Sequence, residues 1–129
     1  MPPETDLTSY TVLFVEDDEM TRKLLSRTLE RRLGKVYTAE NGKQGMEVYA
    51  RHADEIHLVI TDIQMPVMDG LTMAELLREE NPHMPVIIIS AYSDPEYREK
   101  AEKIGIKDYL NKPVNLSDIF ISLQKVLAL

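Results

Sequence analysis

The sequence predicts an α/β domain: five strand–helix units, (βα)5, around an open, doubly wound parallel sheet. Three observations predict it. Short apolar runs alternate with longer amphipathic ones along the chain. The runs TVLFV (11–15), HLVIT (57–61) and PVIIIS (85–90) are almost continuously apolar, as strands covered on both faces are. Five such units are too few to close a barrel, so the sheet stays open with helices on both sides.

Each element follows in order. Residues 1–10, MPPETDLTSY, are expected to form a flexible tail ahead of a domain spanning 11–129. The first strand, 11–15, ends directly in four acids, Glu16, Asp17, Asp18 and Glu19. A helical pattern over 18–33 puts Met20, Leu24, Leu25, Thr28 and Leu29 on one face, with Gly34 available to end it. KVYTA (35–39) is a more mixed run, as edge strands often are. NGKQG reads as a turn opening a helix over 42–53, whose apolar line is Met46, Tyr49, Ala50 and Ala53. After the strand at 57–61, MPVMDG shapes a loop through Pro66 and the Asp69–Gly70 turn signal, and a helix follows over 70–80. The strand at 85–90 precedes a charged helix over 95–104, with Tyr97, Ala101 and Ile104 inward and Gly105 at its end. IKDYL (106–110) is the second mixed strand. The last helix, 115–128, has Asn115 as its cap and a stripe of Leu116, Ile119, Phe120, Leu123, Val126 and Leu127; Ile121 lies off that stripe.

Composition narrows the function. The 129 residues suit one domain, and 43% hydrophobic residues suffice for a core. The absence of cysteine excludes disulfides, thiolate zinc sites and thiol catalysis. A net charge of −7, from 15 basic and 22 acidic residues, argues against a nucleic-acid groove. RRLGK, the densest basic stretch, reads as the solvated end of a helix. The N-terminus has no apolar signal core, and no apolar run approaches the ~20 residues of a membrane span. A soluble, cytoplasmic domain is expected, with no membrane partner.

Open parallel sheets carry their functional residues beyond the carboxyl ends of the strands. Those ends supply Glu16 and Asp17, then Thr61 and Asp62, then Ser90, and finally Asn111, Lys112 and Pro113. Three carboxylates without a counter-charge attract a cation, and hard oxygen ligands with few protein contacts suit Mg²⁺. A lysine across the rim can pair with phosphate oxygens, and a serine hydroxyl can donate to one. A carboxylate can also be the nucleophile, so these residue types point to Mg²⁺-dependent phosphoryl transfer onto an aspartate.

LFVEDDEMTRKLL, VITDIQMPVMDG, VIIISAYSD and DYLNKPV together resemble the receiver domain of two-component response regulators, of the chemotaxis-regulator type, over residues 11–128. The resemblance implies a flavodoxin-like fold with strand order 2-1-3-4-5. It implies Asp62 as phosphoacceptor, Asp17 as direct Mg²⁺ ligand, and Glu16 acting on the metal through water. The Gln64 backbone carbonyl would complete the metal shell. Ser90 matches the switch hydroxyl, Tyr109 the aromatic switch and Lys112 the phosphate-pairing lysine, with Pro113 after it in a cis bond. Asp18 and Glu19 are left to start the first helix, where negative charge suits the dipole. The implied partners are a histidine kinase or phosphotransfer protein, and a homodimer or output partner on the face of the fourth helix, fifth strand and fifth helix, where Ile121 would contribute. The implied activity is that of a signalling phosphoacceptor, with only self-catalysed phosphorylation and dephosphorylation, and not a metabolic enzyme. Two positions depart from the common pattern: Glu16, where Asp is frequent, and Val114, where Phe is frequent.

Rival readings are weaker. A flavin-binding electron carrier would need a phosphate-holding first loop, which EDDEM would repel. A haloacid-dehalogenase-like phosphatase places Asp-x-Asp after its first strand, which is absent here. A non-phosphorylated interaction module would not need the acid–Ser–Lys set. HADEIH (52–57) offers metal-ligating side chains, but it lies at the opposite end of the sheet and is expected to be a solvated loop.

Overall fold

The computed structural model describes residues 7–91 and 95–127. Elements alternate as expected: β1 Thr11–Val15, α1 Glu19–Glu30, β2 Lys35–Ala39, α2 Gly42–His52, β3 Leu58–Thr61, α3 Gly70–Glu80, β4 Val86–Ser90, α4 Pro95–Ile104, β5 Asp108–Asn111 and α5 Leu116–Leu127. All four strand pairings are parallel, in the order β2-β1-β3-β4-β5. The two mixed strands, β2 and β5, are the edges. β5 begins two residues later than the run IKDYL suggests, because Ile106 closes the end of α4 instead.

Side-chain alternation along each strand divides the core in two. Leu13, Val15, Val59, Val86 and Ile88 face one side and meet Tyr49 of α2, Leu71, Met73 and Leu77 of α3, and Ala101 of α4. Val12, Phe14, Leu58, Ile60, Ile87 and Ile89 face the other and meet Leu29 of α1 with Ile119, Phe120 and Leu123 of α5. Burying one such side chain contributes roughly 1.5–3 kcal/mol. Packing on both faces explains why the central strands lack polar alternation.

Local chemistry fixes the helix ends. Asp18, Asn41 and Asp69 cap α1, α2 and α3 by accepting from the backbone N–H three residues on. Asn115 does the same for Asp118 at 2.9 Å. At the end of α4, Gly105 takes φ 93°. Its N–H donates to the Glu102 carbonyl and the Ile106 N–H to the Ala101 carbonyl, both at 2.9 Å. This is a Schellman closure that needs a residue free to adopt the left-handed region.

Three expectations need correction. Leu7 is buried in the α1/α5 side of the core, and the Tyr10 N–H donates to its carbonyl. Residues 7–10 therefore belong to the packed domain and not to a tail; residues 1–6 lie outside the described residues. On α1, Met20 and Leu24 are 78% and 66% exposed. Leu25 and Leu29 pack inward as expected, but Ser26 and the largely covered Arg22 take the places nearer the sheet end, so two polar groups face the protein there. On α2 Met46 and Tyr49 pack inward as expected, together with Gly42 and Gly45, but Ala50 and Ala53 are exposed.

Candidate functional site

The carboxyl end of β1 is held by its neighbours on both sides. The Glu16 N–H continues the ladder to the Ala39 carbonyl at 3.0 Å, and the Asp62 N–H donates to the Val15 carbonyl at 3.2 Å. Glu16 and Asp62 are thus placed side by side at the ends of adjacent strands. The chain then turns: the Asp18 N–H donates to Glu16 Oε2 at 3.1 Å, and Asp18 Oδ2 accepts from the Thr21 N–H at 2.9 Å to start α1. Glu19, in the first helical turn, pairs with Lys23 at 2.9 Å. The four consecutive acids therefore split as expected, two at the site and two at the helix start.

Asp62 is fixed locally. The Ile63 N–H donates to Asp62 Oδ1 at 2.7 Å, and the Thr61 hydroxyl donates to the Asp62 carbonyl at 2.8 Å. Gly70 lies against that same carbonyl; a Cβ there would fall 1.8 Å from the oxygen. The Asp69–Gly70 pair thus serves both as the cap of α3 and as the close approach that holds the β3–α3 loop. Within that loop Val67 has φ 71°, and the Met68 N–H donates to the Pro66 carbonyl at 2.8 Å. This is a three-residue turn around a strained, exposed valine.

Lys112 arrives from the far edge. Its N–H donates to the Ser90 carbonyl at 2.8 Å, and the Lys112–Pro113 peptide is cis, as expected. Its ammonium donates to Asp62 Oδ2 at 2.8 Å and to Glu16 Oε1 at 2.9 Å. The sequence suggested three acids with no counter-charge; here Lys112 is seated between two of them. Glu16 is 2% and Asp62 9% exposed, whereas Asp17 is exposed. Burial raises the Glu16 pKa, against the lowering effect of the Lys112 hydrogen bond. For Lys112, burial works to lower the pKa, but the bonds to Asp62 and Glu16 together outweigh it and raise it.

One carboxylate oxygen each from Glu16, Asp17 and Asp62 lies within 4.8 Å of the others. Such a spacing, with all-oxygen donors and an exposed mouth at Asp17, fits a hard divalent cation. Among the described residues it is the group of metal-ligating side chains that converges in this way. The HADEIH residues do not join it; as expected they form a solvent-facing turn after α2, with Ala53, Asp54, Glu55 and His57 exposed, held by local contacts. His52 Nδ1 pairs with Glu55 Oε2 at 2.8 Å and its ring stacks on Tyr37, whose hydroxyl donates to Glu55. His57 Nδ1 accepts from the Thr11 N–H at 3.0 Å.

Three further expected residues stand on neighbouring elements, β4, β5 and the β3–α3 loop. Ser90 is fully buried at the end of β4. Tyr109 is half-buried on β5 with the Arg98 guanidinium 4.7 Å above its ring. Gln64 is exposed, and its amide donates to the Tyr97 hydroxyl of α4 at 3.0 Å. Arg22, which no sequence feature singles out, donates to the carbonyls of Glu16 at 2.9 Å and Asp17 at 3.4 Å.

A family model described as response regulator receiver domain matches residues 12–124. The chain belongs to that family. Receiver domains of two-component systems are signalling domains that bind Mg²⁺ at an acidic pocket and interact with histidine kinases or phosphotransfer proteins. The two-component response regulator ARR10 of Arabidopsis thaliana is 38% identical over 108 residues, covering 84% of this chain and 19% of the plant protein. The receiver domain therefore spans a minor part of that relative's length. A response regulator receiver domain from Clostridium thermocellum superposes with a TM-score of 0.86 at 28% identity, covering 92% of this chain and 94% of that one. The CheX–CheY–BeF3–Mg²⁺ complex from Borrelia burgdorferi gives 0.86 at 27% identity, covering 93% and 90%. Both share this doubly wound fold. No helix among the described residues is long and apolar enough to cross a membrane.

Proposed function

We propose that this receiver domain is a phosphorylation-gated switch whose acceptor is Asp62. The observation that carries the reading is the meeting of Asp62, Glu16 and Lys112, delivered by three different strand ends, at 2.8 and 2.9 Å. The donor is the phosphohistidine of a kinase or phosphotransfer protein, or a small acyl phosphate. A carboxylate oxygen of Asp62 bonds to phosphorus. The P–N or P–O bond to the donor breaks, and its electron pair leaves with the donor.

Asp17 and Asp62 would hold Mg²⁺ directly, Glu16 through water, and Gln64 through its backbone carbonyl. When bound, the ion supplies charge neutralisation for the phosphoryl oxygens. The chain's own groups do the rest. The Ile63 N–H anchors Asp62 Oδ1, which fixes the carboxylate for attack. Lys112 gives up one carboxylate partner for a phosphoryl oxygen, and the Ser90 hydroxyl donates to another. Tyr109 then moves with Ser90, and two pre-existing conformations change in population. Hydrolysis resets the switch as water bonds to phosphorus and the carboxylate of Asp62 leaves.

The output surface on this reading is the face of α4, β5 and α5, which binds a partner or a second copy. Ile121, 62% exposed on α5, supports it. Replacing Ile121 with Lys should weaken that contact while leaving phosphorylation intact; unchanged self-association and partner binding would remove Ile121 from the surface.

The reading is tested by intact-mass measurement after incubation with acetyl phosphate and MgCl2. A single phosphoryl adduct, lost with a chelator and lost in Asp62→Ala, is expected. An adduct that survives Asp62→Ala would overturn the assignment.

A further inference from the structure

Arg22 is not an ordinary solvated arginine. It lies on the first turns of α1, yet its side chain is only 11% exposed. Arginines are rarely so covered unless they are paired. One of its nitrogens, Nη1, donates to the carbonyl of Glu16 at 2.9 Å and more weakly to that of Asp17 at 3.4 Å. The other, Nη2, stands 3.6 Å from Glu40 Oε1, just past the end of β2. The guanidinium thus joins the backbone of the β1–α1 turn to the neighbouring strand end.

We infer that Arg22 is a positioning residue for the acidic pair, fixing the peptide planes of Glu16 and Asp17 and hence the direction of their carboxylates. The inference rests on the cation-dependent reading of the site. A carbonyl held by a charged donor cannot rotate without losing that bond. Each peptide plane in turn sets the Cα–Cβ vector of the acid it belongs to. Arginine suits the task because one planar group reaches both carbonyls and Glu40, which a single ammonium cannot do with the same geometry.

Charge alone predicts the opposite result from positioning. Arg22 is a cation next to a cation site, so by Coulomb's law its removal should tighten Mg²⁺ binding. Positioning predicts weaker binding, because groups that orient metal ligands typically cost ~10–100-fold in affinity when removed.

The test is a titration of the unphosphorylated chain with MgCl2, followed by backbone amide NMR shifts at Asp18 and Ile63. A dispersed spectrum confirms folding in the same sample. Wild type should bind saturably. Arg22→Met should raise the Mg²⁺ dissociation constant by roughly tenfold or more, and Arg22→Lys should fall between. With acetyl phosphate, the Mg²⁺ concentration for half-maximal rate should rise while the rate at saturating Mg²⁺ stays near wild type. Binding as tight as wild type, or tighter, in both variants would overturn the inference. If Arg22→Met gives no folded spectrum, the Arg22→Lys titration decides on the same criterion. Failure of wild type to bind would instead overturn the underlying cation reading.

Discussion

The Lys112 ammonium meets the Asp62 carboxylate at 2.8 Å across 50 residues of chain, and it shares that position with the buried Glu16. A single cation is therefore shared by two carboxylates, which leaves their cluster with negative charge in excess.

Replacing Lys112 with Met should destabilise the domain by about 1–3 kcal/mol. Removing one partner of a fully buried pair costs about 3–5 kcal/mol, and this pair retains some access to water. Urea unfolding at neutral pH checks this. Added Mg²⁺ should recover part of the loss, since it supplies the missing charge. Equal stability of the two proteins without Mg²⁺ would contradict the role given to Lys112.

Glu16 makes the effect of Mg²⁺ on stability depend on pH. Folding raises its pKa above the ordinary 4.5 through burial. Its contribution to stability without metal is therefore fully present below 4.5 and is lost as pH rises through the raised folded value. Mg²⁺ favours the ionised form. The rise in Tm caused by Mg²⁺ should thus be smallest at acidic pH, below the raised folded value, and grow toward neutrality. Lys112, whose pKa is raised, stays charged throughout. A Mg²⁺ effect that does not grow between acidic and neutral pH would contradict this.

Gly70 should not tolerate a side chain. A Cβ would sit 1.8 Å from the Asp62 carbonyl oxygen, and backbone cannot yield as a flexible side chain can. Gly70→Ala should cost roughly 2–3 kcal/mol and displace the β3–α3 loop. Equilibrium unfolding together with the Asp62 and Ile63 amide shifts measures both effects. An unchanged Cm with unchanged shifts would contradict the close approach.

Val67 should behave oppositely. It is 75% exposed and β-branched at φ 71°, so little packing is lost if it is replaced. The left-handed region costs an L-residue about 1–2 kcal/mol, and glycine's extra unfolded-state entropy offsets about half of that. Val67→Gly should stabilise by about 0.5–1 kcal/mol in urea unfolding. A loss of stability would show that the side chain does more than occupy a strained turn.

Much of this was legible in the sequence because parallel strands covered on both faces leave a strong signal. TVLFV, LVIT and VIIIS are uninterrupted, and each hands its next residues to one rim. Periodicity was less reliable on α1. Met20 and Leu24 have helical spacing, but the inward line near the rim is Arg22 and Ser26, whose polar groups bond to the β1–α1 turn and the helix backbone. Leu7 is a lone apolar residue in a polar stretch, and only the closed core reveals its place. The sharing of Lys112 depends on how far a side chain reaches from β5 across β4 to β3 and β1. No local pattern encodes that distance.

The central claim is that Asp62 carries the phosphoryl group. The most direct measurement is borohydride trapping of the chain after acetyl phosphate and MgCl2, with tandem mass spectrometry of the peptides. Reduction of an acyl phosphate should convert the side chain at position 62, and that position alone among the acids of the rim, to the alcohol. Conversion at Glu16 or Asp17 in place of Asp62, or no conversion at any carboxylate while the phosphoryl adduct is present, would contradict the account.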